Sequence, residues 1–183
     1  MTPRYPLEGV VSWNMNTTCN YRCSYCTQRF VDDRGQWAKD LPGFIAAFAR
    51  LAGDWEIKLS GGEPFRHPDF LAAVRALTEA KRRVSVVTNF ASPLPELLEF
   101  ADATRSRPGL ISASLHLEYA EPLEFLAKVR AVQMQHAGRI VVTCVATRAN
   151  LPRLAGLREQ FADVSFRIQP EKQDRDVIDY TDG

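Results

Sequence analysis

Apolar and polar positions along the chain follow two alternating rhythms. Short β-rich runs recur at residues 9–16 (GVVSWNMN), 55–60 (WEIKLS), 84–88 (VSVVT), 110–116 (LISASLH), 139–146 (RIVVTCVA) and 164–169 (VSFRIQ). Between them apolar residues return every three or four positions, the spacing of a helix with one buried face. This predicts helices over 37–51, with Phe44, Phe48 and Leu51 as the stripe, and over 68–81, with Phe70, Val74 and Leu77. Further helices are expected over 95–103, over 121–136 with Phe125, Val129 and Val132, and over 150–161. Gly138 is a candidate C-cap and Asn150 a candidate N-cap. Residues 171–183 hold five acids and two bases and read as an acidic C-terminal tail on a core of residues 1–170.

Six strands alternating with five helices make a parallel sheet with right-handed crossovers. A flat sheet covered on both faces should be apolar on both. The fourth run instead sets Ser112, Ser114 and His116 against Ile111, Ala113 and Leu115, and the sixth sets Ser165, Arg167 and Gln169 against Phe166 and Ile168. One polar face implies a concave, ligand-lined surface. The expected fold is therefore α/β, a partial (β/α)6 barrel: an incomplete TIM-like barrel of six parallel strands. Active sites of such folds gather at the C-terminal ends of the strands.

The chain has 183 residues, 45% hydrophobic and 25% charged, with a formal net charge of +1. That balance carries no basic footprint for nucleic acid and argues against a tRNA substrate. The short basic groups Lys81-Arg82-Arg83, Arg105 and Arg107 read as solvated surface. No apolar run approaches the roughly 18 residues of a membrane span, and the first eight residues do not read as a signal peptide.

The suspicious residues all fall at the ends of predicted strands. Cys19, Cys23 and Cys26 follow the first with spacing C-x3-C-x2-C, while Cys144 stands alone. Without a secretory signal, such a cluster reads as metal or redox chemistry before it reads as disulfides. Structural zinc takes four ligands. A [4Fe–4S] cube on three thiolates keeps one iron open for another ligand, which matches the count better. The plain alternative is three cysteines that merely share a loop. Gly61-Gly62-Glu63-Pro64 ends the second strand, Thr88-Asn89 the third and His116 the fourth.

The three cysteines with Tyr25 before the last, followed one strand later by Gly61-Gly62-Glu63-Pro64, resemble the radical S-adenosylmethionine (radical SAM) superfamily over roughly residues 9–170. The resemblance implies that Cys19, Cys23 and Cys26 hold a [4Fe–4S] cluster whose open iron is chelated by SAM. It implies reductive cleavage of SAM to a 5′-deoxyadenosyl radical that abstracts hydrogen from a substrate. Gly61 and Gly62 would let the backbone approach the methionine ammonium, with Glu63 accepting from it. Tyr25 would pack beside the adenine or the cluster, and Thr88 and Asn89 would line the SAM site. Ser114 and His116 stand where related enzymes often have Ser-x-Asp, and Lys128 where some place a cation for the SAM carboxylate. His116 is a departure, because a neutral imidazole is not a fixed acceptor. Arg167 is a candidate for a carboxylate, or for a paired acid inside the barrel.

Cys144, out of phase with Thr143, is expected to be a small core residue. His67 should pack at a helix start and His136 should lie on a helix surface. The resemblance also implies a cytoplasmic protein and a low-potential electron donor such as flavodoxin or ferredoxin. Many members carry a cap or further clusters, so the chain is expected to be a minimal enzyme or a truncated core. A barrel without a lid suits a peptide or protein substrate. Alternatives are small-molecule chemistry such as deazapurine ring contraction, a non-catalytic iron–sulfur or SAM-binding protein, and a zinc module.

Overall fold

The computed structural model describes residues 7–28, 30–173 and 176–181. The N-terminal residues 1–6, and with them most of the stretch that does not read as a signal peptide, lie outside these, as do Arg29 after the cysteines, Asp174, Arg175 and Asp182 of the acidic tail, and the final Gly183.

Six strands run in order and in parallel: β1 (Gly9–Asn16), β2 (Trp55–Gly61), β3 (Arg83–Thr88), β4 (Pro108–Leu115), β5 (Ile140–Ala146) and β6 (Phe166–Pro170). Each pairs with the next, and β1 and β6 form the two edges of the sheet, so the barrel stays open. The crossovers carry α1 (Trp37–Ala49), α2 (Phe70–Glu79), α3 (Leu94–Ala103), α4 (Pro122–Gln133) and α5 (Leu154–Gln160). The architecture is the partial (β/α)6 barrel that the alternation of elements and the polar strand faces together predict.

The core lies between the sheet's outer face and the helices. Ile57, Leu59, Val84, Val86, Ile111, Ala113 and Leu115 meet Phe70, Val74, Leu77, Leu97, Phe100, Phe125 and Val129 there. Cys144 is fully buried in the same layer, as its phase requires. Burying a side chain of this size contributes about 1.5–3 kcal/mol, so this layer dominates the fold's stability. Serines 112 and 114 of β4 face the other way and stay half-buried. The inner face is therefore polar because it is not needed for packing.

Several expected elements differ in detail. The last crossover helix does not begin at Asn150. Residues Arg148–Arg153 form a 3-10 helix instead, and the buried Asn150 side chain donates back to the Val145 carbonyl at 2.9 Å. Pro152 within that stretch cannot supply an N–H, which delays the α-helix to Leu154. Arg82 is not solvated surface: it is 7% exposed and donates to the carbonyls of Ala49, Leu51 and Gly53 at 2.6–3.0 Å. Lys81 adopts a left-handed conformation (φ 62°) after α2, with its N–H on Thr78 and that of Arg82 on Leu77. This Schellman-type end turns Arg82 toward the C-terminus of α1. His136 is also buried, with Nε2 3.1 Å from the Gly109 carbonyl. His67 sits at a helix start as expected, its Nδ1 accepting from Asp69 N.

Within the acidic tail, Lys172–Gln173 (β7) and Asp176–Val177 (β8) pair antiparallel. Tyr180 ties this tail to the barrel rim by donating to the Ala146 carbonyl at 2.6 Å and accepting from Glu171 N. Among the described residues no helix is long and apolar enough to cross a membrane.

Candidate active site

A cavity of about 400 Å³ opens at the C-terminal ends of β1 to β4, a size typical of small-molecule sites. Its walls contain Cys19, Cys23, Cys26 and Tyr25 from the loop after β1, and Gly61 and Gly62 from the end of β2. Thr88 and Asn89 from β3, and Ser114 and His116 from β4, complete the opposite side. Residues far apart in sequence thus meet where a barrel's rim brings them together.

The glycines have a clear steric reason. Gly62 N donates to Asn16 O at 2.8 Å and Glu63 N to Thr18 O at 2.9 Å, so the turn after β2 lies directly on the start of the cysteine loop. A Cβ on Gly62 would sit 2.3 Å from Thr18 O, and one on Gly61 would sit 2.2 Å from Asn16 O. Gly61 also adopts φ 139°, open to glycine and strained for other residues. The close approach these glycines permit is therefore to the protein's own backbone. Asn16 adds to the join, its amide donating to the Glu63 carbonyl at 2.9 Å.

Glu63 is 2% exposed and points into the protein rather than into the cavity. Its carboxylate accepts from Thr88 Oγ1 at 2.8 Å, Asn89 N at 2.6 Å and Phe65 N at 3.2 Å. Burial nevertheless pushes its pKa up to about 7, the hydrogen bonds offsetting only part of the desolvation. The carboxylate thus faces away from the cavity with three of its roughly four acceptor sites taken, and it shapes the wall through Thr88 and Asn89. Phe90, left-handed at φ 59°, turns the chain just after this pair, and its N–H donates to Thr88 Oγ1 at 3.0 Å. Such a conformation costs roughly 1–2 kcal/mol for a residue with a Cβ, so the surrounding contacts must hold it.

Lys128 also lies away from the cavity. Its ammonium donates to the carbonyls of Ser92 at 3.0 Å and Ala91 at 3.4 Å, stapling the turn after β3, and it takes no part in the cavity wall. Arg167 lies opposite Thr143 on the inner face of the sheet, exposed at the edge strand.

The cysteine loop is held at both ends. Asp33 accepts from Thr17 N at 2.5 Å and from Thr18 Oγ1 at 2.9 Å, closing the loop at its base. At its tip, Ser24 N donates to Glu118 at 3.0 Å and Arg22 N to Tyr119 Oη at 3.0 Å. Tyr21 stacks on Tyr119 with centroids 4.4 Å apart. His116 Nδ1 lies 3.2 Å from Cys23 Sγ and 2.8 Å from Tyr25 Oη. Asp33, Glu118 and Tyr119 were not legible as site residues; the only local signal is that His116-Leu-Glu-Tyr119 follows a strand whose inner face is polar.

Burial raises the pKa of Cys19, and burial together with the Glu118 carboxylate pushes Cys23 up to about 11. Both are thiols at neutral pH, so a metal centre must displace their protons on binding. Among the described residues no three Cys, His, Asp or Glu side chains are already gathered tightly enough to grip a metal ion. The donor set itself fits: three soft sulfurs on one loop, facing one cavity, suit an iron–sulfur cluster with one open iron. The cavity beside them leaves room for a second small molecule.

The chain is similar to known proteins in the same region. It is 27% identical over 118 residues to a GTP 3',8-cyclase of Haemophilus influenzae, covering 58% of this chain and 32% of that protein. It is 30% identical over 100 residues to an AdoMet-dependent heme synthase of Methanosarcina barkeri, covering 49% and 26%. The chain thus spans about a third or less of the length of these relatives. Among solved structures, Streptococcus suis SuiB bound to S-adenosylmethionine superposes with a TM-score of 0.62 at 16% identity, over 96% of this chain and 42% of that one. Native anSMEcpe with bound AdoMet and the Cp18Cys peptide gives 0.64 at 13% identity, over 92% and 52%. The sequence model of the Radical SAM superfamily matches residues 13–133, from the core of β1 to the end of α4, and on that match the chain belongs to the radical SAM superfamily.

Proposed function

We propose that this chain carries a [4Fe–4S] cluster on Cys19, Cys23 and Cys26, binds SAM in the adjoining cavity, and abstracts hydrogen from a peptide or protein. The observation that carries this reading is the convergence of all three cysteines with Gly61 and Gly62 on one cavity wall. When bound, the cluster would supply the electron for reductive cleavage of SAM to methionine and a hydrogen-abstracting 5′-deoxyadenosyl radical. The chain's own residues bind and orient. Ser114 and Asn89 offer hydrogen-bonding groups to SAM from the far wall. Phe30, whose ring lies under the Arg22 guanidinium at 3.5 Å, and Tyr25 supply apolar surface that excludes water on the loop side. Glu63 holds Thr88 and Asn89 in place from behind.

A peptide or protein substrate is supported by the open sheet and by the solved relatives, which include SuiB bound to its precursor peptide SuiA. A small molecule is the second reading, favoured by the relatives named GTP 3',8-cyclase. The reading includes a flavodoxin or ferredoxin as electron donor and a reducing cytoplasm as location, since an open cluster needs reduced thiols. The test is anaerobic reconstitution followed by dithionite and SAM. Formation of 5′-deoxyadenosine supports the enzyme. A reduced cluster that neither responds to SAM in its EPR spectrum nor yields deoxyadenosine would reduce the chain to a non-catalytic cluster carrier.

A further inference from the structure

His116 touches the cysteine loop at a different place from the SAM carboxylate or ribose contact that its position after β4 leads one to expect. Its Nδ1 is 3.2 Å from Cys23 Sγ, within reach of an N–H···S hydrogen bond, and 2.8 Å from Tyr25 Oη. The ring is fixed on two sides. Tyr25 stacks parallel to it at 5.8 Å and 12°, and Tyr21 meets it edge-on at 5.8 Å and 79°. The segment that follows is fixed too, because Glu118 holds Ser24 and Tyr119 holds Arg22 and stacks on Tyr21. Three side chains from four consecutive positions thus clasp five consecutive residues of the loop, with Cys23 at the centre.

The chemistry of the pair changes on metal binding. A neutral imidazole carries one N–H and one lone pair. Against a thiol, Nδ1 can accept from Tyr25 or from the S–H. Against a metal-bound thiolate only the opposite sense works, since that sulfur has no proton and accepts. Hydrogen bonds to ligand sulfurs are among the levers a protein has on an iron–sulfur potential. They favour the reduced cluster, whose sulfurs carry more negative charge.

We propose that His116 is a positioning residue of the cluster site: with its hydrogen on Nδ1 it donates to the Cys23 sulfur, orients that ligand and raises the reduction potential of the bound cluster. This rests on the proposed cluster-binding function. The clasp of Glu118 and Tyr119 keeps the imidazole in register with Cys23.

The test is an EPR-monitored redox titration of the anaerobically reconstituted full chain, as wild type, His116→Leu and His116→Asn. Leucine removes the donor, whereas the asparagine amide nitrogen occupies nearly the position of Nδ1. The Leu variant is expected to make one-electron reduction roughly tenfold less favourable, about 59 mV lower for a one-electron couple. The Asn variant should recover most of that shift. A Leu variant that keeps the wild-type potential, or an Asn variant no different from Leu, overturns the inference. A second measurement needs no variant: reduced wild type labelled with 15N-histidine should show a weak nitrogen coupling from one imidazole in pulsed EPR, and lack of that coupling also overturns it. A wild type that takes up no cluster at all instead overturns the proposed function beneath it.

Discussion

The Thr88 hydroxyl lies 2.8 Å from one oxygen of the buried Glu63 carboxylate, tying the end of β3 to the turn after β2. This bond and that from Asn89 N do not compensate for burial, and the Glu63 pKa stands at about 7 against an ordinary 4.5. A raised carboxyl pKa favours the protonated folded state. Its contribution to stability is fully present below about pH 4.5 and is lost as pH rises through about 7, some 3 kcal/mol in all. Glu63→Gln should therefore flatten the fall in stability between pH 4.5 and 7.5, read as urea midpoints across that range. Parallel slopes in the two proteins would show that Glu63 is not the titrating group.

Gly62→Ala should displace the cysteine loop. The new methyl would meet Thr18 O at 2.3 Å and Thr17 O at 2.5 Å, both backbone atoms that no rotamer change can move. Overpacking of this kind costs about 1–3 kcal/mol, or roughly 2–12 °C in melting temperature for a chain of this size. The variant should also hold less iron after reconstitution. Unchanged melting and unchanged iron would mean that the join between the turn and the loop is soft.

The sheet and most helices are legible in the sequence because each has one face that must be apolar. Phe70, Val74 and Leu77 repeat at helical spacing and all three are buried. Ile111, Ala113 and Leu115 alternate with serines and face the helices. The cysteines and Gly61-Gly62 are legible because their residue types are rare and their spacing is tight. What is not legible is partnership across long separations. Nothing local distinguishes Arg82, which caps a neighbouring helix, from the exposed arginines beside Asp102 and Asp163. Glu63 looks like a ligand for an ammonium by motif, and only its burial and its neighbours Thr88 and Asn89 show it facing inward.

The four cysteines should separate cleanly. Cys19→Ala, Cys23→Ala and Cys26→Ala should each abolish the visible iron–sulfur absorption after reconstitution. Cys144→Ala should retain it, because that sulfur is fully buried on the helix side of β5. Its cost should appear in stability alone, about 1 kcal/mol for a small core deletion. Loss of the cluster in Cys144→Ala would break the three-ligand assignment.

Arg82→Ala should be among the most destabilising changes remote from the cavity. It removes the guanidinium hydrogen bonds to the Ala49, Leu51 and Gly53 carbonyls at the C-terminal end of α1. Ala49 and Gly53 are exposed, so water takes up part of the lost bonding, and hydrogen bonds to a charged group contribute about 1.5–3 kcal/mol; a loss of roughly 1–3 kcal/mol is expected, measured by urea denaturation. A loss under about 0.5 kcal/mol, the range of ordinary surface changes, would show that water replaces the guanidinium without penalty.

The clasp on the cysteine loop joins residues 91 to 97 positions apart. In a chain made from its N-terminus, the three thiols leave the ribosome long before the segment at 116–119 that fixes them. Long-range contacts of this kind form only after the intervening chain has been ordered. The loop is therefore synthesised well before the segment that sets it, and its final geometry must wait until the fourth strand has joined the sheet. Nascent chains arrested before residue 116 should then expose all three thiols to alkylation, and chains arrested well beyond residue 119 should protect Cys23.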